Sequence, residues 1–225
     1  MNFTQLGKKI IAIGFNYSKH CSELGGNAKA KAPLFFLKPT SSYLLEPNSI
    51  ELPLGCTVDY EIELGVVIGK EAKDINDETK AMDCISGYTL TIDVTARDLQ
   101  NEAREKGLPW SISKGFDTFT PVGPFIKKEK VDDINALEFW IKVNSELKQY
   151  GYTKDMIFNV PKLICYISKF MKLQEGDLIL TGTPEGVGPI RNGDVITAAL
   201  KEKDMVLSEI RFDVINRING FNYKL

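Results

Sequence analysis

VDYEIELGVVIG, residues 58–69, decides how this chain is read. Its alternation of apolar and polar residues marks an extended strand, in which successive side chains point to opposite faces. Tyr60, Ile62 and Leu64 then share one surface, and Asp59, Glu61 and Glu63 share the other. Three acids on one face repel, so that face meets either water or positive charge. Antiparallel sheets often keep one solvated face, and alternating acids alone are a weak motif, so both readings stand at this point.

A second strand raises the same question. In TLTIDVTARD, residues 89–98, Leu90, Ile92 and Val94 face one way and Thr91, Asp93 and Thr95 the other, so Asp93 projects from an apolar strand. Burying an unpaired carboxylate is expensive, and a set of them in core strands calls for a bound cation or for paired Lys and Arg side chains. Oxygen ligands favour Mg²⁺, Mn²⁺ or Ca²⁺ over zinc, and one histidine in the chain cannot build a multi-histidine site. Mg²⁺ with open water positions is the expected occupant. Three carboxylates exceed a divalent charge by one, which makes a neighbouring lysine useful. Asp59, nearest the loop, is expected to meet water or a lysine.

The 225 residues, 43% of them hydrophobic, suffice for one substantial core, and no repeat or linker divides them, so a single domain over 1–225 is expected. Lys and Arg number 28 against 30 Asp and Glu, a balance that exerts no general pull on nucleic acid. No apolar run approaches the roughly 18 residues of a membrane span. MNFTQLGKKIIAIGF shows neither a secretory pattern nor the Arg- and Ser-rich composition of an organelle transit peptide. Cys21, Cys56, Cys84 and Cys165 are scattered without a CxxC pair, which suits reduced thiols in a cytosol-like compartment.

Along the chain, IIAIGF and PLFFLKP read as short strands, separated by a helical turn or two in YSKHCSEL, a Gly25-Gly26 stop and a Lys/Ala linker. The segment 87–107 begins as a strand and turns helical near Ala96, ending at Gly107. LEFWIKVNSELKQYG reads as a hairpin around Asn144-Ser145. NVPKLICYISKFMKL reads as a helix capped by Asn159, with Pro161 in its first turn and an apolar stripe of Leu163, Ile164, Ile167, Phe170 and Met171. DLILTGTPEGVGP, DVITAAL and EIRFDVI supply further strands, so the expected class is a β-rich α+β fold.

Other residues carry candidate chemistry. His20 and Glu23 lie at i and i+3 on one helix face, a pairing that can take a proton from water, although a lone histidine is more often structural. The glycines after them also suit a mobile lid. TGTPEGVGP is not a phosphate-binding loop, but its backbone amides and Thr183 could bind a carboxylate, and Arg97 and Gln100, one turn apart, could hold a substrate. Each of these has a plain structural alternative, as a turn or a surface contact.

GFNYSKHCSE, PLFFLKP, DYEIELGVVIGK, GYTLTIDVTARDLQ, GLPWSISKGFDTFTPVGP, VNSELKQ and GDLILTGTPEGVGP, in this order from about residue 10 to beyond 190, resemble the fumarylacetoacetate hydrolase superfamily. Within it the chain looks most like the compact acylpyruvase and oxaloacetate decarboxylase type. The resemblance implies a mixed β-roll, a homodimer, and Mg²⁺ or Mn²⁺ held by Glu61, Glu63 and Asp93. It also implies a catalytic dyad of His20 and Glu23, an active-site Lys114, and substrate contacts from Arg97, Gln100 and Thr183. One departure is visible: the position before Asn16-Tyr17, often Arg in relatives, is Phe15, which leaves one carboxylate contact and the substrate preference open.

The implied activity is metal-dependent hydrolysis of the C–C bond of acylpyruvates, decarboxylation of oxaloacetate through the same enolate, or both, on a small 2-oxo acid. A 2-oxo acid isomerase or tautomerase and a non-catalytic metal-stabilised binding protein are the competing expectations. The compartment is cytoplasmic, or mitochondrial without an evident presequence.

Overall fold

The structure, a computed structural model, describes residues 1–23 and 31–223. The Gly25-Gly26 stop and most of the Lys/Ala linker expected from the sequence lie outside the described residues. Among those residues four sheets and a few short helices make an α+β architecture. The largest sheet sets side by side β10 (Ile126–Lys127), β7 (Ile85–Ile92), β6 (Ile62–Ile68), β13 (Leu178–Leu180), β1 (Ile10–Gly14) and β2 (Leu34–Lys38). In it β1 and β13 run parallel and the other pairs antiparallel. A second sheet has the order β12 (Glu146–Tyr152), β11 (Leu137–Val143), β15 (Val195–Glu202), β16 (Met205–Asn216) and β4 (Ile50–Leu52). A third joins β14 (Gly188–Ile190), β5 (Val58–Tyr60) and β8 (Thr95–Ala96), and β3 (Tyr43–Leu44) pairs with β9 (Thr120–Pro121). The helices are α1 (Phe3–Leu6), α2 (Ser18–Glu23), α3 (Glu78–Asp83), α4 (Arg97–Lys106), α5 (Ser111–Lys114) and α6 (Val160–Ile167). No helix among the described residues is long and apolar enough to cross a membrane.

The stretch 58–69 is not one straight strand. It crosses from the third sheet into the largest at Glu61, which belongs to neither β5 nor β6. Its partner chain breaks opposite, between β7 and β8. Ile62 pairs with Ile92 and Asp59 with Thr95, so the register carries through the break and sets Glu61 opposite Asp93. The Asp93 N–H donates to the Glu61 carbonyl at 2.8 Å. Like charges directly opposite on neighbouring strands are destabilising. Every residue of β6 is buried, so neither face meets water and the solvated-face reading of the acids is excluded. Burial of Ile62, Leu64 and Val66, about 1.5–3 kcal/mol each, holds the strand in place against that repulsion.

Local signals act as the sequence predicts at most element ends. Gly107, with φ of 65°, closes α4 in the left-handed conformation. Asn144 and Ser145 both have positive φ at the β11–β12 turn. The Asn159 side chain accepts from the Lys162 N–H at 3.1 Å and caps α6. The apolar stripe of α6 is shorter than predicted, however, because the helix ends at Ile167 and Phe170 is exposed. The Ser168 carbonyl accepts the Asp74 N–H instead of a helical one, and the Phe170 ring packs at the surface on Phe35 and Tyr166.

Candidate active site

The break at Glu61 and Asp93 opens onto a small cleft lined by Ile13, Phe15, His20, Phe36 and Trp110 together with the three acids, Arg97, Gln100, Lys114 and Thr183. All nine side chains proposed for the site from the sequence, except Glu23, thus line one cavity. Carboxylate oxygens of Glu61, Glu63 and Asp93 lie within 4.8 Å of one another, and all three residues are buried.

Cations surround them. Lys114, at the end of α5, donates to Glu61 Oε2 at 2.9 Å and to Asp93 Oδ2 at 2.5 Å. Arg97, first residue of α4, donates from Nε to Asp59 Oδ2 and from Nη2 to Glu61 Oε1, each at 2.6 Å, and from Nη1 to Gln100 Oε1. Asp59 therefore has a partner, an arginine in place of the expected water or lysine. Gln100 is turned so that its NH₂ is its remaining donor group.

Lys38 was given no role in the sequence. It closes β2 fully buried, donating to Asp93 Oδ1 and, at 2.6 Å, to the Phe119 carbonyl. The available signal was a lysine ending the apolar run PLFFLK, where a charge has no reason to be unless an acid waits inside.

The electrostatics divide the acids. Burial would raise the Glu61 carboxyl, but Lys114, Arg97 and His20 outweigh it and hold Glu61 below the ordinary range. Glu63 goes the other way: burial, then the charges of Asp93 and Glu61, push it well above, and Lys114 and the Gly182 N–H only partly offset this. Burial opposes the charged form of Lys114, yet Asp93 and Glu61 raise it above a free lysine, whereas burial prevails at Lys38 and lowers it. Four carboxylates thus face three cations among the described residues, and the unbalanced charge falls on Glu63. An all-oxygen donor set with one buried carboxylate left uncompensated fits a divalent cation such as Mg²⁺ or Mn²⁺.

His20 brings the dyad to the same cavity. Asn16 bolts the entry to α2 by donating to the Phe158 and Thr181 carbonyls and accepting the Phe158 N–H. That anchoring presents His20, buried, to the cavity, with Nδ1 3.4 Å from Glu23 Oε2. Glu23 is exposed and also accepts the Gly186 N–H at 3.0 Å, so it joins α2 to the 182–186 turn. Gly182, with φ of 94°, donates its N–H to Glu63 at 2.6 Å, and a Cβ there would sit 2.7 Å from Asn16. Thr183 lines the cavity while its hydroxyl donates to the Ile62 carbonyl at 2.9 Å. Phe15, in the left-handed region with φ of 59°, lines the cavity with its ring near Trp110 and under the Arg104 guanidinium.

A family model described as fumarylacetoacetate (FAA) hydrolase C-terminal matches residues 9–216. The chain belongs to the fumarylacetoacetate hydrolase family. It is 51% identical over 217 residues to an oxaloacetate decarboxylase of Dictyostelium discoideum, covering 96% of this chain and 97% of that one. It is 52% identical over 213 residues to an oxaloacetate tautomerase of Arabidopsis thaliana, covering 94% and 93%. Both relatives are named as mitochondrial proteins. Among solved structures it is similar to fumarylpyruvate hydrolase of Pseudomonas aeruginosa in complex with Mn²⁺ and pyruvate, with a TM-score of 0.87, 32% identity, and 94% of this chain and 91% of that chain covered. The α+β architecture is that of the family, whose members here are enzymes acting as decarboxylases, tautomerases, isomerases and hydrolases.

Proposed function

We propose that this family member is a divalent-metal-dependent enzyme of small 2-oxo acids that cleaves the C–C bond of acylpyruvates to pyruvate and a carboxylic acid. The observation that carries the reading is that one cavity is lined both by three buried carboxylates with an uncompensated charge and by His20, which pairs with Glu23. Glu61, Glu63 and Asp93 would hold the ion, Mg²⁺ or Mn²⁺, and the Mn²⁺ in the Pseudomonas aeruginosa relative supports that assignment. When bound, the cation would supply positive charge that polarises the carbonyl of a 2-oxo acid.

The chain's own residues do the rest. Gln100 and the Thr183 turn hold the acid, and Arg97 fixes Glu61 and orients Gln100. His20 takes a proton from water, with Glu23 orienting the imidazole through Nδ1, and the water oxygen attacks the distal carbonyl carbon. The C–C bond breaks, its electron pair passes to the pyruvate fragment as an enolate, and Lys114 offsets the negative charge. Return of the proton from His20 to the enolate carbon gives pyruvate.

A second reading has its own support. The names of the two relatives favour oxaloacetate as substrate, where the same electron sink serves loss of CO₂ or tautomerisation and no hydrolytic water is needed. The proposal extends to a single domain, to a homodimer, and to a mitochondrial rather than cytoplasmic location, which the designation of both relatives supports.

The test follows enol absorbance of acetylpyruvate, and pyruvate released from oxaloacetate, with Mg²⁺ and then with EDTA. Mg²⁺-dependent loss of acetylpyruvate absorbance with pyruvate formation is expected. Turnover indifferent to chelator removes the metal from the mechanism, and turnover of oxaloacetate alone replaces the hydrolase reading with the second.

A further inference from the structure

The hairpin segment VNSELKQ belongs to the set of motifs above, yet the mechanism uses none of it. Its last residue, Gln149, is 1% exposed, on the strand β12, whose neighbours Lys148 and Tyr150 reach toward solvent. In a regular strand Leu147 and Gln149 would share a face. They do not, because Ile141 pairs with Gln149 and Lys142 with Leu147, which leaves Lys148 as the extra residue of a bulge. The bulge leaves Leu147 outward and turns Gln149 inward.

There Gln149 meets the centre of the site. Its Oε1 accepts the Ile62 N–H at 2.9 Å, and its Nε2 donates to Thr183 Oγ1 and to the Pro184 carbonyl, each at 2.8 Å. Thr183 in turn donates to the Ile62 carbonyl. Both polar groups of Ile62, the residue between Glu61 and Glu63, are therefore held by two side chains that also hold each other. The same turn bears the Gly182 N–H on Glu63 and the Gly186 N–H on Glu23.

We propose that Gln149 is a positioning residue that sets the spacing of the Glu61 and Glu63 carboxylates by clamping the Ile62 peptide to the Thr183-Pro184 turn. It is not among the residues that line the cavity. The proposal rests on the divalent-cation reading of the three acids. Residues that orient metal ligands change affinity when removed, so Gln149→Leu, which keeps the volume and loses all three hydrogen bonds, is expected to weaken the ion by about 10–100-fold.

The probe is Mn²⁺ alone, with the free ion measured by electron paramagnetic resonance, on wild type and variants at a temperature where melting curves show each fully folded. Thr153→Val is the comparison: Thr153 is buried, donates to the Ile134 and Leu137 carbonyls, and does not line the cavity, so its loss should lower the melting temperature and leave Mn²⁺ affinity unchanged. Gln149→Leu binding Mn²⁺ within about twofold of wild type overturns the positioning role while the metal reading stands. Wild type binding no Mn²⁺ overturns both. If Gln149→Leu does not fold, Gln149→Glu decides: it keeps the acceptor for Ile62 but sets a carboxylate oxygen against the Pro184 carbonyl. A loss of about fivefold or more in affinity supports the clamp, and unchanged affinity refutes it.

Discussion

Replacing Glu63 by glutamine should stabilise the metal-free protein and remove its response to metal. The candidate ligand atoms of Glu61, Glu63 and Asp93 lie within 4.8 Å of one another. At an effective dielectric of about 20, two like charges at that distance repel by about 3.5 kcal/mol. Glu63 feels both neighbours, and Lys114 offsets roughly one of them, so Glu63→Gln should gain on the order of 3 kcal/mol in chelator at neutral pH. The carboxamide oxygen can still accept the Gly182 N–H, so no hydrogen bond is lost. For a chain of this length the gain corresponds to about 6–12 °C in melting temperature.

The pH dependence has a definite sign. Glu63 is raised by burial and by Asp93 and Glu61. A raised carboxyl contributes stability that is complete below the unfolded value of about 4.3 and is lost as pH rises through the folded value. The advantage of Glu63→Gln is therefore absent near pH 4 and opens toward neutrality. Mn²⁺ at about 100 times its dissociation constant should return about 2.7 kcal/mol to wild type and little to the variant. Thermal unfolding by circular dichroism, in EDTA and in Mn²⁺ across that pH range, reads all three effects. A variant less stable than wild type in EDTA at neutral pH, or equal protection of both by Mn²⁺, refutes the reasoning.

Further outcomes follow from other contacts. His20→Ala should lower kcat for acetylpyruvate by about 10²–10⁴-fold with Mn²⁺ affinity unchanged, and steady-state kinetics beside a metal titration checks both. Lys38→Met leaves Asp93 buried with one ammonium partner instead of two, and chemical denaturation should show a loss of about 3–5 kcal/mol. Asn159→Ala removes the cap of α6 and should cost about 1 kcal/mol, or 2–4 °C in melting temperature, without changing turnover.

Reading the chain from its residues succeeds where a signal is local. Alternation, caps and turn glycines mark most strands and the ends of α4 and α6, because each depends on neighbours a few positions away. The acids Glu61, Glu63 and Asp93 are conspicuous for a related reason, as charges set in apolar strands. What the pattern does not carry is the partner across the fold. Lys38 looks like the end of an apolar strand until the cross-sheet contact with Asp93 is seen, and Gln149 looks like one polar residue in a hairpin until the Lys148 bulge turns it inward. Asp59 finds its arginine for the same long-range reason. Phe170 fails in the opposite way: the helical period continues through it, but the Ser168 carbonyl is taken by Asp74 and the helix stops first.

On the proposed divalent-cation reading, the charge inventory of the cavity also sets an order of addition. Four acids against three cations leave an anionic pocket, which repels an anionic substrate and attracts a divalent ion. Once such an ion is seated the sign inverts to a single positive charge, and a monoanionic 2-oxo acid restores neutrality. On that reading the ion would add before the acid. A dianion would bring one negative charge too many, so protonation of a second carboxyl, or its placement toward the Arg104 guanidinium over Phe15, would become part of the cost of accepting it.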